Sequence, residues 1–101
     1  MAILTETLAA DRVLTEAEVK NYGYIVLDPG GAARNVDLPA TTNVAGHSVT
    51  IINTADAAEA LTVRLTSAGA TIGTLDQNEN GTFICYSATA GSWEAQVGKA
   101  T

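Results

Sequence analysis

His47 is the single histidine and the one side chain of the usual general-base kind. Ser48 follows it directly, but alternation along a strand sends neighbouring side chains to opposite faces, so the two do not readily form a nucleophile–base pair. His47 therefore reads as an exposed turn residue after Gly46. Cys85 is the single cysteine and lies mid-strand in Phe83-Ile84-Cys85-Tyr86. A reactive thiol wants an electropositive, partly exposed setting. No histidine or cation is near it in sequence, so it reads as a small core residue. One cysteine and one histidine exclude an internal disulfide, a cysteine metal cluster and a two-histidine metal site.

Carboxylates offer a second kind of chemistry. Asp28, with Asp37 and Asp56, could supply oxygen ligands to a cation. No D-x-D-x-D-G loop is present, and Asp28 before Pro29-Gly30-Gly31 is the residue that hydrogen-bonds within its own turn. The paired glycines lack the lysine and helix of a phosphate-binding loop. No metal and no cofactor are expected, and the chain is not expected to be an enzyme. Trp93, in Gly91-Ser92-Trp93-Glu94, could stack on a sugar ring. At this size it more often fills a core or a subunit contact.

The elements that would carry these residues follow from the composition. The chain has 101 residues, one domain's worth, and a formal net charge of −6. Arg12, Lys20, Arg34, Arg64 and Lys99 are too dispersed to make a basic face, which argues against nucleic acid and against an anionic membrane surface. No run approaches the roughly 18 apolar residues of a membrane helix. The acidic N-terminus does not resemble a secretory signal, and a cytoplasm-like compartment is expected.

Residues 1–21 contain no glycine or proline; from Tyr22 onward turn residues recur beside short β-branched runs. That contrast predicts an N-terminal arm, 1–21, and a β domain, 22–101. Strands are expected at 24–27, 35–38, 48–53, 61–65, 71–75 (an edge), 82–86 and 92–97. Turns are expected at Asp28–Gly31 and Asn78–Gly81, and a connecting loop at Thr54–Ala60. The fold class is all-β: a small antiparallel β-sandwich or jelly-roll-like barrel with an extended N-terminal arm. Thr15 and Glu18 have capping-box spacing, which fits a short helix or an ordered arm.

The run from Leu27 through Asp28-Pro29-Gly30-Gly31 to Pro39 resembles a motif of bacteriophage virion proteins. So do the run from His47 to Val63, Gln77-Asn78-Glu79-Asn80, and the closing Gly91-Ser92-Trp93. Together these cover roughly residues 12–97. The pattern is similar to that of phage head decoration, or cement, proteins and of β modules in tail fibres. The resemblance implies a viral structural protein that binds the outer surface of the mature head, contacts the major capsid protein and assembles as a homotrimer. Its location would be the capsid exterior, after a stay in the host cytoplasm during assembly. A chain that starts with methionine and ends soon after its last strand favours the stand-alone decoration protein. The alternative is a receptor- or saccharide-binding module of a tail fibre or spike.

A domain this small is marginal alone, and association would offset that. The apolar residues Ile3, Leu4, Leu8, Val13 and Leu14 of the N-terminal segment follow neither a period of two nor one of 3.6. They are expected to dock on a larger surface. Tyr24 and Trp93 are expected to pack between subunits.

Overall fold

The computed structural model describes residues 2–66 and 69–99, with the backbone alone at 98 and 99. Among the described residues, nine strands form two sheets. The strands are β1 (Ala2–Thr7), β2 (Arg12–Val13), β3 (Tyr22–Asp28), β4 (Arg34–Asp37), β5 (Ser48–Asn53), β6 (Leu61–Arg64), β7 (Thr71–Leu75), β8 (Glu79–Cys85) and β9 (Trp93–Lys99). One short helix, α1 (Glu16–Asn21), lies between β2 and β3, and a 3-10 turn spans Thr41–Asn43. The five-stranded sheet has the order β1-β3-β5-β8-β9, and the four-stranded sheet β2-β4-β6-β7.

The expected mainly-β class holds, with a different path through it. Successive strands alternate between the sheets, so the chain winds in a flattened coil. β1, β3 and β5 are parallel neighbours in one sheet, and β2, β4 and β6 in the other. Parallel neighbours need a crossover, and here each crossover is a strand of the opposite sheet. Only after β6 does the chain reverse: β7 is antiparallel to β6, β8 to β5, and β9 to β8. Both sheets are thus mixed, where antiparallel pairing throughout was expected.

Residues 2–21 are woven into this coil. β1 pairs with β3 along its length, and β2 with β4. The Leu8 and Leu14 amides extend these ladders, donating to the carbonyls of Asp28 and Asp37, each at 2.8 Å. Leu8, Leu14 and Val19 belong to the same apolar core as Ile25, Val36 and Phe83. The segment expected as a separate arm shares its core with residues 22–97.

Local signals explain the remaining elements. Thr15 caps α1: its Oγ1 accepts from the Glu18 amide at 3.1 Å, and Glu18 Oε1 accepts from the Thr15 amide at 2.9 Å. At six residues such a helix is not stable alone; burial of Val19 holds it. Asp28 Oδ1 accepts from the Gly30 amide at 2.9 Å, the turn role expected of it. β7 is an edge strand, as its sequence suggests. The turn before β8 lies earlier than Asn78–Gly81. Asn78 takes the positive φ, and Asn80-Gly81 is inside the strand. Gly81 serves packing there: a Cβ would come within 3.0 Å of a Leu75 methyl and 3.2 Å of the Phe83 ring.

Candidate functional site

The inner faces of the sheets make the core, so the outer face of the five-stranded sheet is the broadest feature left. Alternation and register lay out its side chains in rows. Ile3, Tyr24, Thr50, Thr82 and Gln96 cross all five strands in one row. Thr5, Val26, Ile52 and Asn80 make the next. Ser48, Ile84 and Glu94 flank them on the other side. Ile3 is 61% exposed and Tyr24 49%. Thr50 and Thr82 share a hydrogen bond of 2.9 Å at the centre. Charged residues enter only at the rim, with Asp28 beside Thr7 and Glu94 beside Ile84. A chain of net charge −6 thus carries one face of apolar, hydroxyl and amide side chains with charge only at its rim.

The five expected docking residues separate. Ile3 and Val13 are exposed, and Leu4 is partly buried against the core. Leu8 and Leu14 are buried core residues and present no surface to a partner. The reason is local: each follows a strand, and its amide extends that strand's ladder. Tyr24 lies open on the outer face. Trp93 is buried at 6% exposure, and its Nε1 donates to the Pro39 carbonyl at 3.2 Å. It lines a hollow of about 290 Å³ with Pro39, Thr41, Leu65 and Gly91. A ring so covered offers little face for stacking a sugar.

Asp28 and Asp56 do come together, joined by Glu59; their carboxylate oxygens lie within 4.8 Å of one another. Glu59 escaped the sequence reading because the 54–60 loop alone brings it back to the β3–β4 turn. Two of the three carboxylates are engaged there, Asp28 with the Gly30 amide and Glu59 with the Gly31 amide at 3.2 Å. Asp37 lies elsewhere, with its oxygens 2.7 and 3.1 Å from the Arg64 guanidinium. That contact raises the Arg64 pKa.

Cys85 is fully buried, as expected, with Sγ 3.4 Å from the Ser87 carbonyl. The backbone of His47 closes its turn: its amide donates to Val44 O at 3.0 Å, and its carbonyl accepts from the Cys85 amide at 3.0 Å. The side chain borders a shallow hollow with Tyr24, Ser48 and Thr50.

One charged cluster ties the first turn of the coil together. Arg12 on β2 donates to Glu6 on β1 at 2.7 Å and to both carboxylate oxygens of Glu18 on α1. Burial pushes the Glu18 carboxyl up, but Arg12 and the Thr15 amide more than offset it, and its pKa falls below the usual range. The Glu18 hydrogen bond and, after it, that of Glu6 raise the Arg12 pKa further. No family model, no curated protein and no solved structure matches the chain.

Proposed function

We propose that this chain is a bacteriophage head decoration protein, binding the outer surface of the mature shell and stabilising it through contact with the major capsid protein. The reading rests on the motif resemblance. The structural observation that supports it is the outer face of the five-stranded sheet, whose central row is uncharged from Ile3 to Thr82. Exposed apolar side chains such as Ile3 and Tyr24 among uncharged polar ones, with charge at the rim, are what a protein–protein contact uses. On this proposal the copies assemble as trimers, with Tyr24 and Ile3 among the residues they cover. Each bound copy favours the expanded shell over its precursor by mass action.

The test is co-sedimentation of purified protein with heads of its phage stripped of it, read beside imaging of virions that carry a C-terminal tag. Saturable binding to expanded heads and label over the whole head are expected. Tyr24→Asp should keep the far-ultraviolet spectrum of the wild type and weaken binding roughly tenfold or more, about 1.4 kcal/mol or above. Label confined to the tail tip would replace the reading with the tail-fibre one.

A further inference from the structure

The two sheets have four edges, and three of them are short or covered. β2 is an edge of two residues. β7 and β9, at the far end of the coil, pack against each other. β1 is different: it is six residues long and outermost in the five-stranded sheet. It carries neither lysine nor proline, the residues that commonly stop an edge from pairing. Its one charge, Glu6, is matched by Arg12 at 2.7 Å.

The direction of its free backbone groups can be read. The Leu8 amide points toward β3, where it meets Asp28 O at 2.8 Å. Backbone groups alternate sides along a strand, and the β1–β3 register is unbroken from Ile3 to Thr7. Ile3, Thr5 and Thr7 therefore aim their N–H and C=O groups away from the sheet.

We propose that this edge pairs with the same edge of a second copy, antiparallel, about a two-fold axis at Thr5. In that register Thr5 faces Thr5 of the second copy, Ile3 faces Thr7, and Leu4 faces Glu6. Every outward N–H and C=O of Ile3, Thr5 and Thr7 gains a partner. The β-branched side chains of those residues meet on the outer face, a favourable set of cross-strand pairs. No charge stands directly opposite a like charge.

The occupant is a second copy because the strand complements itself: in this register its outward residues pair with one another and its one charge, Glu6, meets Leu4. The same strand also satisfies itself within a single register. The contact is narrow, well short of the roughly 800 Å² per partner of a standard complex. It therefore forms at high local concentration and adds to whatever else gathers the copies. It does not rest on the virion reading.

Thr5→Cys puts one exposed thiol on the axis. Cα atoms of a hydrogen-bonded antiparallel pair lie about 5.5 Å apart, within disulfide range. Under mild oxidation at about millimolar concentration, where weak pairs form, T5C is expected to give a covalent dimer of twice the 10.4 kDa chain mass. Ile3→Cys is expected to stay monomeric, because Ile3 of the second copy lies four residues along, about 13 Å away. Thr5→Pro removes an outward N–H and leaves the bonds to β3 intact. It is expected to keep the wild-type far-ultraviolet spectrum and to lower the dimer fraction in sedimentation equilibrium roughly tenfold or more. A wild type that stays monomeric at that concentration overturns the proposal. So does equal cross-linking of T5C and I3C, or a T5C that cross-links only to a foreign protein.

Discussion

Asn53 and Leu75 are 22 residues apart in sequence and joined by a 2.9 Å hydrogen bond from Asn53 Nδ2 to the Leu75 carbonyl. The same amide nitrogen donates to Glu59 O at 2.8 Å, and Asn53 Oδ1 accepts from the Ala55 amide at 2.9 Å. One fully buried side chain thus ties the end of β5 to the 54–60 loop and to the end of β7.

Replacing Asn53 with alanine strands two carbonyls and one amide together. Buried groups without partners cost about 1–3 kcal/mol each. Asn53→Ala is therefore expected to lose about 3–5 kcal/mol, a large share of the 5–15 kcal/mol typical of a domain. Urea unfolding measures it, and a loss below about 1 kcal/mol would contradict the role.

Gly30 and Gly31 are neighbours in one turn, and alanine should separate them. Both have positive φ, 75° and 101°. A Cβ on Gly30 would stand 2.1 Å from the Leu8 carbonyl oxygen, whereas nothing lies within 4 Å of one on Gly31. Gly31→Ala is expected to cost about 1–2 kcal/mol, the conformational penalty alone. Gly30→Ala must also push β1 away from β3 and should cost clearly more. Thermal melts of the two variants side by side decide it, and equal losses would count against the close approach.

The Glu18 cluster predicts a pH dependence with a definite sign. Its folded pKa lies below the ordinary 4.5. A carboxylate with a depressed folded pKa contributes stability that is present above its unfolded value and lost as pH falls through the folded one. Stability is expected to decline from about pH 5 downward. Glu18→Gln should flatten that decline and leave the neutral-pH fold intact. Melting temperatures across pH 3–7 measure it, and an unchanged slope in the variant would remove Glu18 from the account.

Much of this was legible in the chain. β5 and β7 fall at the residues expected for them, Thr15–Glu18 caps a helix, and Asp28 closes its own turn. What alternation cannot report is which strand lies beside which. Leu61 and Val63 reveal their buried face, yet nothing local says that β6 joins β4 in parallel. The same gap hid the N-terminal segment. Its apolar residues lack one period because they divide among two strands, the residues that end them and a helix. Asn80-Gly81 reads as a turn by composition, and only the approach of Leu75 and Phe83 shows why a strand needs glycine there.

The coiled path also sets an order of assembly. β1 has no partner until β3 exists, and β3 none on its other side until β5 does, so each crossover must close before its pairing is rewarded. The β6–β7 and β8–β9 pairs have short connections and close at little entropic cost. The β5–β8 pairing, by contrast, joins residues as far apart as Ser48 and Ile84, so contact order is high across most of the fold, which places folding among the slow, millisecond-to-second domains. The short β6–β7 and β8–β9 connections make those two hairpins the expected first pairs to close. On a ribosome the first strand made would be among the last to find its place.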